Sequence, residues 1–237
     1  MYFSFEAIGV VHSCFKEKFG IPRQPGLVTE AKGIIEFFPP YGTPEALAGL
    51  DGFSHLWVIF AFHGVAADKW RPTVRPPRLG GNRRCGVFAS RSTHRPNLLG
   101  MSVVKLESIE ILSTGCRLHI SGLDILDQTP VLDIKPYLKY ADAIDHARSG
   151  YAHERPSDDV QVHFSSLASQ TLDAMPQLDG MTFRKLLEQI LSYDPRPAYQ
   201  HDTSGREYGM RIANYNIRWR YEQHEPFVIC IEPVTEP

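Results

Sequence analysis

No two cysteines in this chain stand as a C-x-x-C pair: the four, Cys14, Cys85, Cys116 and Cys230, are scattered over its length. That spacing argues against a zinc finger and favours buried thiols in a reducing compartment. Long apolar runs are also missing. The longest, residues 55–62 (HLWVIFAF), falls far short of the roughly 20 residues that a membrane helix needs. The opening residues (MYFSFEAIGVV) carry no cationic lead-in and no small-residue cleavage site, so no export signal is expected and a cytoplasmic location is. Walker loop, G-x-G-x-x-G, H-E-x-x-H and G-x-S-x-G motifs are all absent, which removes the commonest phosphate-loop, dinucleotide, zinc-protease and serine-hydrolase signatures. The ten histidines show no ligand spacing alongside acids, which argues against a metal enzyme. With 237 residues, 43% hydrophobic and 22% charged, the chain has enough apolar material for a real core and too much for wholesale disorder.

The most informative absence is acidic. Residues 69–105 contain nine cations and no Asp or Glu, while the rest of the chain holds a net charge of −11. Seven of the nine are arginines (Arg71, Arg75, Arg78, Arg83, Arg84, Arg91 and Arg95), whose planar guanidinium grips phosphates and carboxylates in a fork. Such asymmetry points to a polyanionic partner or an anionic ligand. The alternative, that these arginines pair with acids elsewhere in the fold, stays open at this point.

The first 138 residues read as mainly β. Short β-rich runs bounded by Gly and Pro lie at 6–12, 33–38, 55–63, 85–90, 101–112 and 116–125, with 55–63 expected to be buried on both faces. Thr43-Pro44-Glu45 resembles a helix start, predicting a brief helix that ends near Gly49. No strand–helix–strand repeat is present, so a small six-stranded, non-Rossmann β-barrel is expected. Residues 139–158 read as a linker or arm. Residues 159–237 read as a small α+β unit: a strand at 160–164, helices at 167–175 and 183–190, and strands at 206–212, 216–221 and 227–231.

Three loops are rich in chemistry-bearing residues. Glu17-Lys-Phe-Gly-Ile-Pro-Arg-Gln-Pro-Gly26 sets an Arg-Gln pair between two prolines, which fix the backbone at little entropic cost. Residues 70–97 combine Arg, Pro and Gly beyond what a hairpin needs. Gly122-Leu-Asp-Ile-Leu-Asp-Gln-Thr-Pro130 follows a strand and offers acids that suit ribose hydroxyls, although it also makes an ordinary turn.

Phe19-Gly-Ile-Pro-Arg-Gln-Pro-Gly26, Phe53-Ser-His-Leu-Trp57, the arginine-rich run 70–81, Gly86-Val-Phe-Ala-Ser-Arg-Ser-Thr-His-Arg-Pro-Asn97 and Asp133-Ile-Lys-Pro-Tyr137 closely resemble the TsaA-like (TrmO) family. Asp194-Pro-Arg-Pro-Ala-Tyr199 and Asn216-Ile-Arg-Trp219 resemble its longer bacterial members. The chain departs from the family at Arg95-Pro-Asn-Leu-Leu-Gly100, where a second proline is usual. The resemblance implies a homodimeric, S-adenosyl-methionine-dependent methyltransferase acting on the exocyclic nitrogen of threonylcarbamoyladenosine beside the tRNA anticodon. It further implies cofactor contacts from Pro22, Arg23, Gln24, His63, Gly64, Arg91, Met101, Ser102, Leu123, Asp124 and Ile125. Asp124, Asp127 and His63 are the candidates for moving the acceptor's proton. RNA contacts are expected from Arg71, Arg75, Arg78, Arg83, Arg84 and Arg95, and in the second unit from Arg196, Tyr199 and Arg218; Trp219 is expected to be core. A non-catalytic RNA-binding barrel, or a methyltransferase for a small molecule, remains the competing reading.

Overall fold

The structure, a computed structural model, describes residues 3–66, 70–196 and 205–234, and within them no side chain of 177–179. Six strands close a barrel: β1 (Gly9–Ser13), β2 (Lys32–Phe37), β3 (His55–Ala61), β6 (Leu99–Leu112), β7 (Gly115–Ser121) and β8 (Thr129–Pro136). Their order is β1-β2-β7-β6-β3-β8, and every neighbouring pair is antiparallel. Successive side chains on a strand point to opposite faces, so one residue in two fills the interior. Val11, Ile35, Leu56, Val58, Leu118 and Val131 do so with no exposed surface.

Four local expectations change. Residues 55–63 are not buried on both faces: Leu56, Val58 and Phe60 point inward, and the residues between them lie half-buried on the outer wall. Residues 85–90 are not a barrel strand. They form β5 (Cys85–Gly86), which pairs only with β4 (Thr73–Val74), and then a single 3-10 turn over Val87–Ala89. The sixth barrel strand is β8 instead, whose prolines at Pro130 and Pro136 sit near its two ends and hide its pattern. Residues 43–49 form successive i→i+3 turns rather than an α-helix, although the Thr43 hydroxyl does accept the Ala46 N–H (3.4 Å).

Beyond the barrel, α1 (Lys139–Asp142) and a 3-10 turn at Gly150–Ala152 interrupt an irregular segment. Then come β9 (His163–Phe164), α2 (Ser166–Ala174), α3 (Gln177–Ser192), β10 (Glu207–Ile212), β11 (Tyr215–Glu222) and β12 (Glu225–Pro233). The sheet runs β10-β11-β12-β9, with β9 parallel to β12. The Ser165 hydroxyl accepts the Ala168 N–H (3.0 Å), capping α2. Leu172, Leu186, Leu187, Ile190 and Leu191 bury the helices' inner stripe. Trp219 is fully buried, as expected. Among the described residues no helix is long and apolar enough to cross a membrane.

The two halves share one hydrophobic core. Phe15 bridges to Ile212, the Ala213 N–H donates to the Cys14 carbonyl (2.7 Å), and the Phe19 ring stacks on Trp219 with centroids 5.6 Å apart.

Candidate active site

One end of the barrel is open, and a cavity of about 490 Å³ occupies it. This volume lies in the range of small-molecule sites, about 300–1,000 Å³. Its wall comes from the loop after β1 (Lys18, Ile21–Pro25), the end of β3 and the residues after it (Phe60, Phe62–Val65), the loop before β6 (Ser90, Arg91, Thr93, Arg95), the start of β6 (Leu99–Ser102), the loop after β7 (Asp124–Leu126) and Thr129. Antiparallel strands bring these segments together, since the C-terminal ends of β1, β3 and β7 meet the N-terminal ends of β6 and β8. Gly122, at φ 71°, turns the chain out of β7 in a conformation that suits glycine, which aims the Asp124 loop at the cavity. The Gly26 N–H donates to the Gly122 carbonyl (2.8 Å) and ties the two loops together.

Inside the cavity the Ser102 hydroxyl donates to Asp124 Oδ1 (2.6 Å). Burial raises the Asp124 carboxyl to about 6, against the opposing pull of the Ser102 bond and the Arg91 charge. Arg91 donates to Gln24 Oε1 (2.5 Å), so two of the expected cofactor residues hold each other across the mouth. Thr129 Oγ1 lies 3.3 Å from His63 Nδ1, and the Lys18 ammonium donates to the Gly64 carbonyl. Arg95 donates to the carbonyls of Ser90 (2.8 Å) and Val87 (3.3 Å), bracing its own loop. Arg23 donates to the Arg196 carbonyl (3.1 Å); burial lowers its pKa, the Arg78 charge adds to that effect and Asp194 opposes it. The lining thus sets Lys18, Arg23, Arg91 and Arg95 against one carboxylate beside apolar Ile21, Phe60, Phe62 and Ile125.

Of the eleven residues expected to touch the cofactor, ten line this cavity: Pro22, Arg23, Gln24, His63, Gly64, Arg91, Met101, Ser102, Asp124 and Ile125. Leu123 does not, because its side chain is fully buried and packs beside Gly33 in the barrel core. Asp127 also lies outside it. It accepts the Ser13 N–H (2.7 Å) and pairs with Lys16 (2.8 Å); burial works against its ionisation, yet these bonds outweigh it and hold the carboxyl below its ordinary value. Lys18, Phe60, Phe62, Ser90, Thr93 and Thr129 belong to the wall and were not anticipated.

Among the arginines expected at RNA, Arg95 lines the cavity, whereas Arg71, Arg75, Arg78, Arg83 and Arg84 stand exposed on the loops beyond it. Arg196 departs from expectation. The residue is 4% exposed and its side chain forks onto Asp194 (Nε to Oδ1 2.8 Å, Nη2 to Oδ2 2.8 Å), so it faces the interior rather than a nucleic acid. Arg218 is half-exposed between Glu207 and Glu232, and Tyr199 lies outside the described residues. Among the described residues no three His, Cys, Asp or Glu side chains form a metal-ligand group.

Two family models account for nearly the whole chain: the tRNA-methyltransferase O N-terminal domain matches residues 10–143 and the TrmO C-terminal domain matches 157–234. The chain is 43% identical to the "tRNA (adenine(37)-N6)-methyltransferase" of Escherichia coli over 98% of both sequences. It is 49% identical to the "Putative S-adenosylmethionine-dependent methyltransferase RcsF" of Pseudomonas aeruginosa over 93% of this chain and 94% of that one. A crystal structure of TrmO from Pseudomonas aeruginosa superposes with a TM-score of 0.80 at 40% identity, covering 98% of each chain. With both domain models matched along its length and a full-length relative at 43% identity, the chain belongs to the TrmO family.

Proposed function

We propose that this protein transfers the methyl group of S-adenosyl-methionine to the exocyclic nitrogen of adenine 37 of tRNA, in its threonylcarbamoyl form. The observation that carries the reading is the cavity, which gathers ten of the expected cofactor residues at one barrel end. The residues present suit such a donor. Ile21 and Ile125 offer apolar surface to adenine, Asp124 offers a carboxylate to ribose hydroxyls, and Arg91 or Arg23 offers a guanidinium to the methionyl carboxylate.

S-adenosyl-methionine supplies an electrophilic methyl carbon, whose bond to sulfur breaks as its bond to nitrogen forms. The rest is positioning by the protein. The acceptor nitrogen is a poor nucleophile, because its lone pair is delocalised into purine and carbamoyl. Alignment is therefore the main lever, worth about 7–11 kcal/mol in well-oriented cases. The acceptor's proton leaves to His63 or to Asp124, whose pKa of about 6 suits a base at neutral pH. Arg95, inside the wall, faces the substrate's threonyl carboxylate, whose burial without a partner would be costly.

We divide the chain into a methyl-transfer barrel (1–138), an arm (139–158) and a C-terminal unit (159–237) that assists tRNA binding. Exposed Phe88, Leu99 and Met101 support a second copy of the chain beside the cavity, and a tRNA substrate supports a cytoplasmic location. Calorimetric titration with S-adenosyl-methionine should show saturable binding; a chain that binds none would leave the RNA-binding barrel as the better reading. Mass analysis of anticodon-loop nucleosides from cells lacking the gene should show the methylated nucleoside lost. Its persistence with no second enzyme present would overturn the assignment.

A further inference from the structure

The wall loop that follows β1 is held from behind by the C-terminal half. The Arg211 N–H donates to Glu17 Oε1 (3.0 Å), Gln189 accepts from the Glu30 N–H (3.0 Å) and donates to the Thr29 hydroxyl (2.9 Å), and Gly20, at φ 94°, packs so close that a Cβ would stand 3.0 Å from Met210 Sδ. At the centre of this contact Arg23, a cavity residue, donates to the Arg196 carbonyl.

The backbone at Arg196 is itself clamped. Asp194 adopts φ 42°, a left-handed conformation that non-glycine residues seldom occupy without being held there. What holds it is a set of converging bonds: Arg196 N–H and Nε to Oδ1 (3.1 and 2.8 Å), Arg196 Nη2 to Oδ2 (2.8 Å) and the Tyr221 hydroxyl to Oδ1 (2.9 Å). The Arg196 guanidinium also lies over the Tyr221 ring, 3.3 Å from its centroid. An arginine buried in this way does not meet RNA; its bonds fix a turn whose carbonyl faces Arg23.

We propose that the Asp194–Arg196–Tyr221 clamp is a positioning device: through the Arg196 carbonyl it sets Arg23 in the cavity wall, and so sets affinity for S-adenosyl-methionine rather than for tRNA. The inference rests on the cavity being the S-adenosyl-methionine site. On this account the C-terminal half completes the cofactor site as well as extending the molecule.

The test uses the full-length protein with Tyr221→Phe, which keeps the ring under Arg196 and loses the bond to Asp194, and Arg196→Lys, which keeps a charge and loses the fork. Cooperative melting of each variant establishes that it folds. Calorimetry should show S-adenosyl-methionine binding weakened by about 10-fold in Arg196→Lys, the scale on which residues remote from a ligand modulate its affinity, and by less in Tyr221→Phe. The KM for tRNA and kcat at saturating donor should stay near the parent values. Without any ligand, amide exchange across residues 20–26 should quicken. Combined with Arg23→Ala, either variant should weaken binding no further than Arg23→Ala alone. Unchanged donor affinity in folded variants, additive losses with Arg23→Ala, or a raised KM for tRNA alone would overturn the clamp and leave the cavity assignment standing. Should the parent protein bind no S-adenosyl-methionine, the cavity assignment falls and the clamp's role with it.

Discussion

At the scale of single residues, the site turns on two side chains, Asp124 and Arg95. Asp124 is a carboxyl that burial raises to about 6. An unfolded chain releases that proton near pH 3.9, so between about pH 4 and 6 the folded protein holds a proton that the unfolded chain has given up. The Asp124 contribution to stability therefore falls as pH rises through this window, by about 3 kcal/mol, and is flat above it. Glu36, Glu107, Asp127 and Asp194, held below their ordinary values, contribute with the opposite sign. Asp124→Asn should remove that contribution, so that in urea titrations run from pH 4 to 7.5 the variant gains stability relative to the parent as pH rises, and at pH 7 it should be at least as stable as the parent. Its affinity for S-adenosyl-methionine should nonetheless drop, because ribose hydroxyls donate more strongly to a carboxylate than to an amide oxygen. For the same reason the parent's affinity should rise between pH 5 and 7. Arg95 makes the second test. Its two bonds to backbone carbonyls fix the guanidinium in the wall. Arg95→Ala should lower kcat/KM on threonylcarbamoylated tRNA by about 10- to 100-fold, the range expected for a lost bond to a charged group. The same variant should erase the preference over tRNA bearing plain adenosine, and a preference kept intact would move carboxylate recognition elsewhere.

At the scale of elements, the barrel was readable from β-rich runs broken by Gly and Pro, and five of its six strands fall where that pattern puts them. The sixth was not readable for a physical reason. Thr129–Pro136 carries prolines near both ends, and they remove ladder donors and imitate turn chemistry. Cys85-Gly-Val-Phe-Ala-Ser90 has the composition of a strand, but tertiary contacts curl it into a 3-10 turn whose residues flank Arg95. The residues that gather at the cavity were named through motif resemblance, since no periodicity identifies a rim assembled from five separate loops and strand ends. Leu123, which the resemblance places at the cofactor, has its side chain in the barrel core beside Gly33, while its neighbours Asp124 and Ile125 line the cavity. Phe60 and Phe62 show the converse, as apolar residues that read as core yet finish the wall. The pairing of β3 with β6 depends on a contact no motif would reveal: Gly100 lies opposite Phe60, and a Cβ there would collide with the ring. Gly100→Ala should therefore push Phe60 into the cavity, cost about 1–3 kcal/mol in denaturant unfolding, and weaken S-adenosyl-methionine binding. A variant as stable as the parent with unchanged affinity would mean that the ring has somewhere else to go.

At the scale of the whole molecule, charge separation and architecture coincide. Residues 69–105 hold nine cations and no acid, and among the described residues of that run only Lys105 joins an ion pair, with Glu107 (2.8 Å). The arginines were not collected to pair with acids across the fold. Arg78 and Arg84 donate to Glu154 and Thr73 oxygens, and the exposed side chains of Arg71, Arg75 and Arg83 make no hydrogen bond or ion pair among the described residues. Exposed guanidinium groups of one sign raise the local positive potential, which water and salt screen and an anionic partner would lower further. Arg71, Arg75 and Arg83 stand apart from the cavity wall, whereas the Arg78 charge reaches Arg23 inside it. If it contacts the phosphates of a tRNA anticodon arm, each arginine releases counterions on binding and steepens the salt dependence by about 0.7 in log affinity per log salt on single strands. Replacing Arg71, Arg75 and Arg83 together by alanine should make the slope shallower by about 2 and weaken tRNA binding most at low salt. Affinity for S-adenosyl-methionine, measured on the same preparation by calorimetry, should not change, because none of the three lines the cavity. A slope identical to that of the parent would mean that the RNA approaches from another side, and the loops at 70–84 would then need a different anion.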